Sequence, residues 1–191
     1  MRMKVKSAVF IKGIVADDEL LRNGIPQVAF IGRSNAGKSS TINALTGNSK
    51  LSKTSSFPGR TQEINLFLID GTTYLVDLPG YGFATASREV REKLQNLISG
   101  YLFDPKYSQK KVVLIVDAKV GPTKSDLEVL AELDRMGKDV VVAVNKIDKV
   151  KNSEYSKQMK SIRAAVGDHV IIPYSAEEGR GVEDLFTAVF E

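Results

Sequence analysis

Short apolar, β-branched runs alternate along the chain with segments of helical period, and the alternation predicts βαβ units around a mostly parallel sheet. Six stretches read as strands: residues 28–31, 64–69, 73–76, 112–116, 140–144 and 170–172. Only Asp70-Gly71-Thr72 separates the second from the third. That spacing predicts a hairpin, hence one antiparallel strand in an otherwise parallel sheet. Between the strands, Val90, Leu94, Leu97, Ile98, Tyr101 and Leu102 share one helical face. Ser125-Asp126-Leu127-Glu128 reads as a capping box opening the next helix, with Gly137 closing it. Residues 153–166 form a more polar helix, and Val182, Leu185, Phe186 and Val189 predict an amphipathic last one. Residues 47–63 carry no regular pattern, and loops of that length are usually functional or mobile.

The chemistry sits where these strands end. Gly32-Arg33-Ser34-Asn35-Ala36-Gly37-Lys38-Ser39 follows the first strand, opens a helix and matches G-x-x-x-x-G-K-[ST] at every fixed position. Glycines let the backbone curl so that its N–H groups point inward around phosphates, Lys38 reaches the outer phosphates, and the Ser39 hydroxyl binds Mg²⁺. At ordinary glycine usage of about 7%, a chain of this length would show the pattern by accident on the order of once in a hundred. Asp77-Leu78-Pro79-Gly80 ends the third strand; there a carboxylate can reach Mg²⁺, usually through water, and Gly80 can offer its N–H to a terminal phosphate.

The discriminating tetrapeptide is Asn145-Lys146-Ile147-Asp148, directly after the fifth strand. A carboxylate at Asp148 can accept from both N1–H and the exocyclic amine of guanine, a donor pair that adenine lacks. A site built around such a bond can reject the analogue by roughly 10⁴. Asn145 would tie the base loop to the phosphate loop, and Lys146 would lay its stem along the ring. Tyr174-Ser175-Ala176, one βα unit later, is placed to aim a backbone N–H at the guanine carbonyl oxygen.

At 191 residues, 42% hydrophobic and 26% charged, the chain suits a single α/β domain, with residues 1–24 as an N-terminal extension and 25–191 as the core. No apolar run approaches the roughly 20 residues of a membrane span, and the apolar block 8–11 is too short for a signal-peptide core of about 7 or more. There is no cysteine and one histidine, His169, which excludes disulfides, thiol chemistry and a zinc cluster. A reducing, cytoplasmic home follows, and any metal should be hard and oxygen-bound. The net charge of +4 favours polyanionic partners. Its lysines gather at Lys106, Lys110 and Lys111, and at Lys146, Lys149, Lys151, Lys157 and Lys160 with Arg163.

The order and spacing of these motifs resemble the translation-factor-related GTPases over essentially the whole chain. More narrowly, the phosphate loop, then Pro58-Gly59-Arg60-Thr61-Gln62 with Asn65 and Phe67, then Asp77-Leu78-Pro79-Gly80-Tyr81-Gly82, resemble the bacterial EngB (YihA/YsxC) group of the TrmE-Era-EngA-EngB-Septin-like class. Departures are Phe83 where Tyr is common and Asn145 where many members carry Thr. The resemblance implies a three-layer P-loop NTPase fold of the Ras-like kind, α/β with a six-stranded sheet and one antiparallel strand. It also implies GTP and GDP as ligands, Mg²⁺ held by Ser39, Thr61 and Asp77, and a switch segment Gly59, Arg60, Thr61, Gln62 and Glu63 closing on the nucleotide. Thr61, with Lys38 and Gly80, would serve hydrolysis, and the chain would be a monomer.

Ras-type GTPases carry a water-orienting Gln where this chain has Tyr81, so intrinsic hydrolysis should be slow. Asn35 offers one compensation, because related GTPases with Asn there hold K⁺ beside the β- and γ-phosphates; packing within the loop is the plainer role for the same residue. A partner acting in trans is the other route. EngB-like proteins are implicated in large ribosomal subunit assembly and in normal cell division and septation, which makes that subunit or its rRNA the expected partner. Two rival readings remain at this stage. A small-molecule kinase would share the phosphate loop but not N-K-x-D, and a GTP-binding scaffold that barely hydrolyses would fit Tyr81.

Overall fold

The computed structural model describes residues 5–52, 63–82 and 87–191. The strands are β1 (Ala8–Ile14), β2 (Gln27–Gly32), β3 (Ile64–Ile69), β4 (Thr73–Asp77), β5 (Lys111–Asp117), β6 (Val140–Asn145) and β7 (Val170–Pro173). The helices are α1 (Lys38–Thr46), α2 (Arg88–Phe103), α3 (Lys124–Arg135), α4 (Asn152–Val166) and α5 (Val182–Phe190). The sheet runs β1-β3-β4-β2-β5-β6-β7. The hairpin places β3 antiparallel to its neighbours, and every other pairing is parallel.

Strand residues alternate between two apolar layers, which is why the central strands are apolar throughout. Ala29 and Ile31 of β2, with Val112, Leu114 and Val116 of β5, pack beside Ile98, Leu102, Leu130 and Ile162 of α2, α3 and α4. Val28, Phe30, Val113 and Ile115 face the other way, onto Ile42 and Leu45 of α1 and Leu185 and Val189 of α5. The strand order reverses at β2, which lies between β4 and β5. Open α/β sheets bind ligands in the crevice at such a switch point, outside the carboxyl ends of the strands.

Three expectations change. The sheet has seven strands, not six, because the expected N-terminal extension supplies β1 as an edge strand. Its side chains do not alternate between buried and exposed: Val9, Phe10 and Ile11 are all exposed, and a register shift lies between Phe10 and Lys12. Tertiary contacts place it instead. Asp70, in the β3–β4 turn, accepts at one carboxylate oxygen from the N–H groups of Lys6 (2.8 Å) and Ser7 (2.7 Å). Asp70 and Gly71 both have positive φ, 49° and 71°, as a tight two-residue hairpin turn requires. The capping box of α3 lies two residues earlier than expected: Thr123 is the N-cap and Asp126 the reciprocating third residue. Finally, the first lysine cluster is largely occupied by local contacts. Lys111 donates to Ala188 O at 2.6 Å and Lys110 to Phe190 O at 3.4 Å, both at the C-terminal end of α5, where cations are favoured.

Leu102 has no exposed surface within the layer beneath α2. Leu102→Ala is expected to lower the unfolding free energy by about 2–5 kcal/mol, read from a urea titration in which the midpoint falls and the slope does not.

Candidate functional site

The phosphate loop links the end of β2 to the start of α1, so the first backbone N–H groups of α1 face the crevice. Asn35 and Gly37 curl it with φ of 64° and 102°. A Cβ on Gly37 would lie 2.2 Å from Asn145 Nδ2, so this glycine makes room for the base loop as well as for the turn. Lys38 is buried at the bottom of the loop, donating to Gly32 O (3.2 Å) and Arg33 O (3.4 Å). Burial pulls its ammonium below the usual lysine range, against the opposing pull of the Asp77 carboxylate.

Asp77 closes β4 on the other flank. One carboxylate oxygen accepts from Ser39 Oγ (3.2 Å) and Ser52 Oγ (3.4 Å). The second is buried without a hydrogen-bond partner among the described residues. Burial raises the carboxyl above its ordinary range, opposed by the Lys38 ammonium and the two serine hydroxyls. An orphaned carboxylate oxygen beside a hydroxyl suits a hard divalent cation. Among the described residues no group of three acidic or imidazole side chains could bind a metal unaided. The phosphates and water would therefore supply most of the shell.

Sequence reasoning missed Ser52 and the residue that places it. Asn43 of α1 donates to Ser49 O (3.1 Å) and Ser52 O (2.9 Å) and accepts from Ser52 N (2.8 Å), folding the chain after α1 back toward Asp77. An Asn in mid-helix gives no sequence signal for such a contact.

Gly80 lies directly on the phosphate loop. A Cβ there would come 2.9 Å from Ser34 Cα and N and 3.0 Å from Lys38 Nζ, so only glycine fits. Leu78 and Pro79 are buried beneath it, and Leu78 N donates to Phe30 O at 3.0 Å. Tyr81 N donates to Gly32 O (3.4 Å) and Ser34 N to Tyr81 O (2.9 Å), joining the two loops as a short parallel bridge.

At the far side of the crevice, one buried amide organises three segments. Asn145 Nδ2 donates to Ala36 O (3.0 Å), and Oδ1 accepts from Lys146 N (2.8 Å) and Ala176 N (3.1 Å). The Lys146 ammonium bridges Asn35 O (2.6 Å) and Asp117 Oδ2 (2.8 Å). Asp117, at the end of β5, was not among the predicted site residues. Ile147 is buried, and its N–H donates to Tyr174 O at 3.3 Å. Asp148 accepts from Ser175 Oγ (2.6 Å) and pairs with Lys149 (3.0 Å). Burial pushes its carboxyl up, but those two donors carry the balance below the ordinary range.

Two details differ from the expectation for the last loop. The N–H groups of Ser175 and Ala176 are both engaged, with Arg180 O (2.8 Å) and Asn145 Oδ1 (3.1 Å). A carbonyl of the base would share the Ala176 donor with Asn145. The Tyr174 side chain faces the core, its hydroxyl 2.6 Å from Thr41 Oγ1 under α1, so it supports the site from behind. Glu63 sits with its carboxylate over Gly13 of β1. Gly59, Arg60, Thr61 and Gln62 lie outside the described residues.

The family model described as "50S ribosome-binding GTPase" matches residues 27–146, and that of the "Elongation factor Tu GTP binding domain" matches 108–191. A "Probable GTP-binding protein EngB" of Clostridium perfringens is 38% identical over 99% of this chain and 97% of its own. The same-named protein of Desulforamulus reducens is 40% identical over 99% and 94%. Among solved structures, a probable GTP-binding protein engB superposes with a TM-score of 0.71 at 29% identity, covering 86% of this chain and 96% of that one. Aquifex aeolicus Era bound to GDP and aluminium fluoride superposes with a TM-score of 0.69 at 24% identity, over 86% and 57%, a likeness of fold.

Gly80→Ala is expected to weaken a nucleoside triphosphate analogue by on the order of tenfold or more while changing diphosphate affinity far less, since the new methyl would displace an N–H expected to meet the terminal phosphate. Calorimetric titration of both nucleotides checks this.

Proposed function

Because the chain belongs to the EngB family of GTP-binding proteins, a family of GTPases that hydrolyse GTP to GDP and phosphate, we propose the following cellular role for it. It is a Mg²⁺-dependent guanine-nucleotide switch of low intrinsic rate, acting in the cytoplasm as a monomeric G domain on the large ribosomal subunit during assembly, and needed for normal cell division and septation. The observation that carries the guanine reading is the Asp148 carboxylate, only 5% exposed, held by Ser175 and standing on a loop that Asn145 ties to the phosphate cradle. Guanine's N1–H and amino group are donors that this carboxylate, now paired with Ser175 and Lys149, would accept in the crevice.

The phosphates would lie against the N–H groups of residues 37–39 at the start of α1 and the Lys38 ammonium, whose bonds to Gly32 O and Arg33 O would be exchanged for phosphate oxygens. Gly80 offers its N–H to the terminal phosphate. Ser39 and Asp77 are the described residues that would hold Mg²⁺, which would supply positive charge against the phosphates. Thr61 completes that set in the family pattern. The Tyr81 phenol donates to Asp126 Oδ1 at 2.5 Å, so no side chain at that position is free to orient the attacking water. Charge compensation would then come from K⁺ held by the Asn35 side-chain oxygen, or from the ribosomal particle. Lys151, Lys157, Lys160 and Arg163 are exposed along α4, against a single acid there, Glu154, and this face suits rRNA phosphates better than the occupied cluster at Lys110 and Lys111.

Asp148→Asn replaces an acceptor by an amide whose N–H₂ fits the C2 carbonyl of xanthine. Guanine-nucleotide affinity is expected to fall by on the order of 10² or more and xanthine-nucleotide affinity to rise, measured by calorimetry against GDP, a GTP analogue and an ATP analogue. Equal binding of the ATP analogue by the parent chain would overturn the guanine assignment.

Single-turnover GTP hydrolysis is expected to be faster in KCl than in NaCl at matched ionic strength, and faster again with large-subunit particles. Equal rates in the two salts would remove K⁺ from the mechanism, and indifference to particles would remove the ribosomal activator.

A further inference from the structure

Tyr81 follows the phosphate-sensing Gly80 and is fixed at three points. Its N–H donates to Gly32 O (3.4 Å), its carbonyl accepts from Ser34 N (2.9 Å), and its hydroxyl donates to Asp126 Oδ1 (2.5 Å). The first two contacts join the loop to the phosphate cradle. The third reaches across to the first turn of α3, an element with no other part in the site. The Asp126 carboxylate is itself immobilised: it is 2% exposed, and its second oxygen accepts from Thr123 N and Thr123 Oγ1, both at 2.7 Å. A rotamer locked in this way by buried hydrogen bonds is a fixed point for whatever it holds.

We propose that Asp126 is a positioning residue for GTP hydrolysis, acting through Tyr81, an assignment that rests on the GTPase reading above. The bond has two consequences. It holds the phenol on the α3 side of the loop, away from the space at the terminal phosphate where the nucleophilic water must stand. It also braces Gly80, whose backbone has less than a methyl group's clearance over Ser34 and Lys38 and therefore has little room to shift without losing its alignment. Burial raises the Tyr81 phenol well above its ordinary range, with the Asp126 carboxylate adding to the effect, in keeping with a hydroxyl that donates to that carboxylate. A chain that lacks the water-orienting Gln still has to keep its substitute side chain out of the way, and Asp126 does so.

The test is single-turnover hydrolysis at saturating GTP, with GDP affinity and thermal midpoint measured alongside. Tyr81→Phe deletes only the hydroxyl and leaves the ring volume and the capping box intact. Its rate is expected to fall by on the order of tenfold, as small misalignments of reacting groups do, with GDP affinity and midpoint near those of the parent. Asp126→Asn is expected to fall by a similar factor and to melt lower through the damaged cap. The double variant should be no slower than the slower single one, because both act through one bond. A Tyr81→Phe rate equal to or above the parent's overturns the proposal, as does a loss matched by equal weakening of GDP binding and stability, or multiplicative losses in the double variant. If Asp126→Asn does not fold, Tyr81→Phe alone decides. A parent chain that does not turn over GTP would overturn the enzymatic reading and this one with it; a parent that does, with Tyr81→Phe its equal, overturns this one alone.

Discussion

The Asn145 side chain is the constraint on which the site depends. It is 2% exposed and makes three hydrogen bonds, to the phosphate loop, to its own loop and to the loop after β7. A buried amide left unpaired costs about 1–3 kcal/mol per lost partner, so displacing any one of these loops is opposed by the other two. Gly37 is part of the same constraint, since any Cβ there would collide with the amide nitrogen. The spacing between the phosphate loop and the loop that carries Asp148 is thus set by the Asn145 amide. Lys146 reinforces it by reaching from the base loop to both Asn35 and Asp117.

The opposite flank is built on a different principle. Lys38 and Asp77 are both buried, and for each the largest effect on its titration is the burial that penalises its charged form. One Asp77 oxygen has no partner among the described residues, and the lysine rests on carbonyls of its own loop. These groups are poorly satisfied as they stand. A triphosphate with a divalent cation would supply what they lack, whereas the polar groups on the base side are already paired among themselves.

Much of this was legible in the sequence because the relevant physics is local. The central strands are buried on both faces and show as apolar runs. The phosphate loop, Asp77-Leu78-Pro79-Gly80 and Asn145-Lys146-Ile147-Asp148 stand at strand ends, where a spacing rule carries geometric meaning. What escaped is tertiary. β1 is held by Asp70 and by the contact of Phe10 with Phe67, at 5.6 Å between ring centres, and its exposed apolar residues mimic no periodic pattern. The α3 cap was misplaced because Thr123 and Ser125 are both good caps, and only the reciprocal bond to Asp126 distinguishes them. Ser52 reaches Asp77 because Asn43 folds the intervening residues, and Asp117 becomes part of the site only because β5 lies beside β6. Lys110 and Lys111 looked like a basic patch and turned out to cap a helix end, a use that charge counting does not separate from a free surface.

The topology brings two differently built flanks to one sheet. β2 is the seam: β5, β6 and β7 on one side carry the base loops, while β4 and β3 on the other carry Asp77 and the loop to Gly80. The Asn145 network ties the phosphate loop, which follows the seam strand, to the loops on the first side. The loop from Asp77 to Tyr81 meets it through a few main-chain bonds and through Tyr81, whose hydroxyl reaches across the seam to α3. The β4 side carries the Asp77 oxygen that has no partner among the described residues, and it meets the phosphate loop through Ser39, Gly80 and Tyr81. The same strand order that separates the Asn145 network from Asp77 and Gly80 brings both to one crevice.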